Sequence, residues 1–432
     1  MNKIFSCGFL LIFLLVGANH FAFSQKNHTK SAKPPTKSVT VKKKASAAKR
    51  ATVNVAPPTF HSIRDNKTSA SIHHSTALIH SYWKTEVITG GRLALYKSDE
   101  KGSVFYPAEL ANNRELKFNN NPVLFTNKLQ TEIFAITTNN ELAWLYFDSG
   151  WKLNFPGKEA GDNNVRVNAI PSCKLLPGTL GVSQETSVIS LTTEGRLIEF
   201  RYNSNERKWR INYPAELAGY SDYKLTNKLS QSNISNSSKD IAVITTSGKL
   251  LHLWNNANSN TWHGEFPQEL CGMSDLKFMT ITPAIQKIPD GKGQYIAALT
   301  TDGKLVVMTY QGARWHGYYP CEMAQKPNLR FFSLPLMVIN KFSDITSDAY
   351  RPAVFILDDK NNLTQIYQDG RFRWGVDHPT ELAHQDVIFK QNPALIENNF
   401  DNGKKTLAGE TISGRFATVY DTDKWNVSYP FE

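Results

Sequence analysis

Tryptophan, glutamate and a basic side chain recur together along this 432-residue chain, and together they suit one kind of chemistry. An aromatic face stacks on C–H groups, while a carboxylate and a cation make charge-assisted hydrogen bonds to hydroxyls. The tryptophan and glutamate stand in one repeated phrase: KWRINYPAELA at 208–218, TWHGEFPQELC at 261–271 and RWHGYYPCEMA at 314–324. The basic residue stands upstream in a second phrase: LTTEGRL at 191–197, ITTSGKL at 244–250 and LTTDGKL at 299–305. Repetition of this sort suits binding, because an enzyme needs one asymmetric constellation. No HExxH, GxSxG or CxxC is written anywhere. The eleven histidines are scattered, and His73 and His74 are adjacent, so on a strand they face opposite ways. The expectation is a non-catalytic chain with no metal and no cofactor.

The first phrase occurs seven times, anchored by Pro107, Pro156, Pro214, Pro267, Pro320, Pro379 and Pro430 at intervals of 49, 58, 53, 53, 59 and 51 residues. Six copies place a tryptophan five residues before the proline. Six place a glutamate two residues after it, and the second copy, PGKEA, places Glu159 at three. The second phrase precedes every proline at a near-constant distance. The basic residues are Arg92, Arg196, Lys249, Lys304 and Arg415, with Glu141 and Asn362 in the second and sixth copies.

These phrases must be positioned by a repeated element. YIAALTT is β-branched and apolar, which predicts a strand; DG, SG and EG are turn dipeptides; KLVVMTY and KLLHLW continue as a second strand. RWHGYYP predicts a short strand ended by its proline, and DLKFMTITPAI predicts a strand before the hairpin. Four antiparallel strands in about fifty residues, seven times over, predict an all-β, seven-bladed β-propeller across 60–432. Blade one would open near ASIHHSTALIHS (70–81) and blade seven close at WNVSYP. Insertions at 227–240, 286–294 and 340–350 fall between first and second strands, which places them on one rim as a candidate recognition surface.

Each repeated residue also has an architectural reading. The tryptophan can pack between blades. The glutamate can accept backbone N–H groups at the crossover or pair with the basic residue after the turn. His263 and His316, each after a tryptophan, would face the other side of their strands. Cys173, Cys271 and Cys321 remain beyond the leader, an odd number without metal-ligand spacing, and read as small buried hydrophobes. The hairpin-then-tryptophan pattern resembles the bacterial and fungal propeller lectins, though the sialidase-type Ser-x-Asp-x-Gly-x-x-Trp box is missing. That resemblance implies shallow sugar sites between blades at Trp209, Trp262, Trp315, Glu216, Glu269, Glu322, Arg196, Lys249 and Lys304. A protein-interaction scaffold of the cell envelope is the alternative.

The N-terminus predicts location. MNK, an apolar run and Ala22-Phe23-Ser24 form a secretory signal over 1–24. Residues 25–59 predict a basic disordered tether, with nine Lys or Arg and no acid within 26–50. Residues 1–50 hold ten basic and no acidic residues, which leaves 39 basic against 38 acidic in the remainder. The folded part is therefore near neutral, which argues against nucleic acid. The tether could touch a membrane surface or an anionic polymer; a glycan or an envelope protein is the partner expected for the folded part. Mass spectrometry of the exported chain should find Gln25 at its N-terminus; export with Met1 retained would replace cleavage by an anchor.

Overall fold

The computed structural model describes residues 83–429, apart from 98–102, 120–121, 127–130, 169–171, 177–184, 204–205, 233–238, 256–260, 290, 292, 344–347, 399–403 and 423. The leader, the tether, the 70–81 segment, Pro430 and Glu432 lie outside the described residues. Seven antiparallel sheets follow one another along the chain, in the order expected of a seven-bladed β-propeller. The first, 83–105, has three strands among the described residues. The other six, at 123–154, 172–212, 225–265, 284–318, 336–377 and 394–428, have four each in chain order. In blade 5 these are Ala284–Lys287, Gln294–Leu299, Leu305–Gln311 and Arg314–Tyr318. In five joints the first strands of neighbouring blades touch, as Leu225–Ser232 does Ala284–Lys287.

Strand alternation builds the core. Ile241 and Val243 enter the joint with blade 3, while Ala242 and Ile244 enter the joint with blade 5. Each of six successive joints holds its own buried apolar cluster. A blade therefore has two buried faces, which explains why its second and third strands read as nearly continuous apolar runs.

The TT-x-G phrase is a type I turn closed by a left-handed residue. Thr300 N–H donates to Lys304 O, Gly303 N–H to Thr300 O, and Lys304 N–H to Thr300 Oγ1. Gly303 sits at φ +79°, and its counterparts Gly91, Asn140, Gly195, Gly248, Asn361 and Gly414 are also positive. The carbonyl of that residue accepts an N–H from the next blade's approach segment. The bonds are Phe118 to Gly91, Val167 to Asn140, Leu225 to Gly195, Phe278 to Gly248, Phe331 to Gly303 and Phe389 to Asn361. DLKFMTITPAI is thus not one strand: Phe278 makes a single bridge to Thr300, and the strand begins at Ala284.

The proline ends the outer strand and also opens something the sequence reading did not contain, a one-turn helix. Pro107–Leu110, Pro156–Glu159, Pro214–Leu217, Pro267–Leu270, Pro320–Met323 and Pro379–Leu382 each have proline at N1. Each stops at a residue of positive φ: Asn112, Gly161, Gly219, Gly272, Gln325 and His384. Each helical turn packs on the fourth strand of the following blade. Beside this contact, Gly264 and Gly317 leave space that their neighbours fill. A Cβ on Gly264 would stand 2.5 Å from the Tyr220 ring, and one on Gly317 would stand 2.6 Å from Met273 Sδ.

Because strands run in chain order, the TT turns and the helical turns share one end of blades 1 to 6. The described parts of the three insertions lie at the other end. Much of 227–240 and 340–350 is strand, since Leu225–Ser232 and Asp348–Leu357 run into them. Gly303→Asn should cost little, because blades 2 and 6 carry asparagine there, whereas Gly303→Val should cost about 1–3 kcal/mol. Denaturant unfolding of both variants checks this; equal losses would disprove the left-handed requirement.

Candidate functional site

The basic residue closes the TT turn and the glutamate is the third residue of the helical turn, so their shared end brings them together. Arg92 donates through Nε to Glu109 Oε1 at 2.7 Å, and Arg196 through Nε to Glu216 Oε1 at 2.6 Å. Lys249 Nζ donates to Glu269 Oε1 at 2.6 Å, and Lys304 Nζ to Glu322 Oε1 at 2.8 Å. The residue before the proline lies beneath each cation. Arg92 is 3.9 Å above the Tyr106 ring, Arg196 3.9 Å above Tyr213, Lys249 5.0 Å from Phe266, and Lys304 5.5 Å from Tyr319. In each pair the hydrogen bond donated to the carboxylate raises the cation's pKa, so all four stay charged. These groups are partly exposed, and their pairing contributes little net stability.

Blade 2 carries the same pair with its charges exchanged. Glu141 takes the turn position and Lys158 the helical one, 2.9 Å apart, with Arg166 at 3.9 Å. Lys158 stands 4.3 Å from the Phe155 ring. The missing basic residue of this copy is therefore compensated at a position the sequence reading did not examine. In blade 6 Asn362 turns its amide to Asp358 instead, at 3.2 Å. In blade 7 Arg415 lies 3.8 Å above Tyr429.

The pairs border shallow depressions beneath the helical turns. One is lined by Lys304, Leu305, Tyr319, Cys321, Glu322, Pro327 and Leu329. The blade 2 counterpart includes Glu141, Phe155, Gly157, Lys158 and Val165. Burial pushes the Cys321 thiol up to about 12, so it sits there as a neutral thiol. Cys271 and Cys321 are both free.

The sequence grouped tryptophan with these charges, and the structure separates them. Trp209, Trp262 and Trp315 are 2%, 3% and 5% exposed, packed in the joints with blades 2, 3 and 4. Trp209 meets Trp144 edge-on at 5.2 Å, and Trp315 donates through Nε1 to Glu265 at 2.9 Å. In this structure their rings offer no open face for stacking. Arg196, Lys249, Lys304, Glu216, Glu269 and Glu322 stand at the exposed end, which is the end opposite the insertions. His263 and His316 are exposed, and His263 stacks on Trp254 at 5.4 Å.

Sequence reasoning missed the buried charges. Glu199 pairs with Lys239 in the joint between blades 3 and 4, where Ser187 and Asn212 also donate to the carboxylate. Asp240, His252 and Glu265 meet in the next joint. The available signal was polar residues inside apolar strands, as in KDIAVIT and LLHLWN.

No protein-family model and no curated protein matches the chain. Among solved structures it is similar to the six-bladed fucose-recognising lectin of Aleuria aurantia, at 14% identity and a TM-score of 0.37 over 68% of this chain and 95% of that one. It is similar to AofleA of Arthrobotrys oligospora, at 10% identity and a TM-score of 0.38 over 71% of this chain and 85% of that one. It is also similar to a fucose lectin of Kordia zhangzhouensis, at 16% identity and a TM-score of 0.25 over 34% of this chain and 96% of that one. The likeness concerns the arrangement of blades, and says nothing of what this chain binds.

Proposed function

We propose that this chain is a non-catalytic carbohydrate-binding propeller, exported to the cell envelope or beyond. The observation that carries the reading is the recurrence, in blades 1, 3, 4 and 5, of a partly exposed Arg/Lys–Glu pair over an aromatic ring. A sugar diol can accept from the cation and donate to the carboxylate without either group being moved out of water. Repetition then supplies avidity toward branched or polymeric glycans, since several weak sites on one rigid face act together.

A second reading rests on a different observation. Leu110, Leu217, Leu270, Met323 and Leu382 occupy the same position of their helical turns and are all exposed. An envelope protein docking on this end would use them, and polar replacements there would weaken it without affecting sugar binding.

A glycan array probed with the mature chain and with residues 60–432 tests the first reading. Both should bind a defined neutral glycan, and Glu216→Gln, Glu269→Gln and Glu322→Gln combined should weaken binding roughly tenfold or more at an unchanged melting temperature. No binding by either form leaves the docking reading; binding by the mature chain alone, to acidic glycans, moves the activity to residues 26–50. The exchanged pair of blade 2 gives a separate check. Glu141→Arg alone should destabilise by about 0.5–1 kcal/mol, and adding Lys158→Glu should recover most of it. A double-mutant cycle in denaturant reads this directly, and additivity of the two changes would mean that the pair does not interact.

A further inference from the structure

Lys239 and Asp240 are consecutive on Lys239–Thr245, so their side chains leave on opposite faces. Lys239 enters the joint with blade 3 and pairs with Glu199, so these two charges cancel. Asp240 enters the joint with blade 5, where the balance is different. His252 Nε2 lies 3.3 Å from Asp240 Oδ1, and His252 Nδ1 lies 3.0 Å from Glu265 Oε1. Lys287 of blade 5 pairs with the other Asp240 oxygen. Trp315 of blade 5 donates to Glu265 at 2.9 Å, and Trp254 stacks on the imidazole at 5.0 Å. The Gln294 amide lies 3.1 and 3.4 Å from the two ring nitrogens and can turn either end toward them. His263 reaches the cluster through Trp254, and Tyr220 neighbours Glu265. Two carboxylates thus face one ammonium and one imidazole, and His252 is 2% exposed.

A neutral imidazole has one N–H. It can donate to Asp240 or to Glu265, and its second nitrogen would then face a carboxylate lone pair in a buried site. An imidazolium donates to both and brings the cluster to neutrality. We propose that the joint between blades 4 and 5 is a proton-operated lock, closed by an imidazolium at His252 that bridges Asp240 and Glu265. Loss of that proton leaves an uncompensated buried negative charge and loosens this joint while the apolar clusters of the others are unchanged. Burial is the largest single influence on His252 and opposes the charge. The Asp240 and Glu265 carboxylates together outweigh it, so its pKa lies above the usual value. A raised folded pKa gives stability that is fully present below about 6.5 and is lost as pH rises through the folded value.

The test uses the mature chain between pH 6 and 9. The melting temperature of the unaltered protein should fall across this range by roughly 2 °C for each unit by which the His252 pKa exceeds 6.5. His252→Gln should melt lower and lose that component of the fall. Imidazole resonances in the unaltered protein should include one that keeps its proton above pH 6.5, and Glu265→Gln should move that titration downward. These two measurements stand even where His252→Gln does not fold. A His252 ring that titrates at or below the ordinary value, or identical pH slopes in the unaltered and His252→Gln proteins, would overturn the lock.

Discussion

The architecture depends on one backbone hydrogen bond made six times. It runs from the N–H of the residue approaching a blade to the carbonyl of the left-handed turn residue of the blade before. That carbonyl points outward only because the turn ends in a positive φ, which glycine or asparagine supplies. The first threonine of the phrase holds the same turn through its hydroxyl, as Thr245 does for Lys249 N–H at 3.0 Å. Asp358 performs that service in blade 6, accepting from Asn362 N–H at 2.8 Å. Turn, donor and hydroxyl acceptor therefore vary together within strict chemical limits. The approach residue also carries the side chain that seals the joint, and Phe331 and Phe389 are fully buried there.

Given that bond, the rest of the joint is free to differ. Between blades 5 and 6 an apolar cluster runs from Ala284 to Trp374, with the buried Arg351 meeting Tyr295 beside it. The two joints of blade 4 contain charged groups of both signs set among the same kind of apolar neighbours. A buried pair of opposite charge roughly offsets its own desolvation and contributes little beyond fixing geometry. Three charged groups and an imidazole cannot do so without a proton. Blade 4 is joined to both neighbours through ionised side chains, and its two joints differ in how they respond to pH.

Much of the fold was legible because the repeat spells out backbone requirements. A glycine after TT-x, a proline at a strand end and alternating apolar runs each have a single local meaning, and together they fixed blade number and strand count. The helical turn after the proline was not legible in the same way. PAEL is too short for periodicity, and its stop at Gly219 or Gly272 reads as an ordinary loop glycine. The role of tryptophan was ambiguous for a different reason. Nothing in KWRINYP says whether Trp209 faces a neighbouring blade or water, because both outcomes use the same alternation. The charged pairs were half legible: Arg196 and Glu216 could be matched by recurrence, but the exchange of Glu141 and Lys158 breaks the very pattern that recurrence relies on.

That exchange bears on what the pairs do. If the pair served only to tie the helical turn to the TT turn, either polarity would serve, and blade 2 shows that the fold accepts both. The joint therefore does not dictate which end is basic. Yet blades 1, 3, 4 and 5 keep the cation on the turn and over the ring of the residue before proline, where it covers one aromatic face. A cation so placed is held still, and a carboxylate held against it is oriented as well. A diol approaching this end meets donor and acceptor already fixed in place, which lowers the ordering cost of binding. The pair thus adds little to stability but much to preorganisation, and preorganisation is the property through which a shallow surface site can hold a sugar.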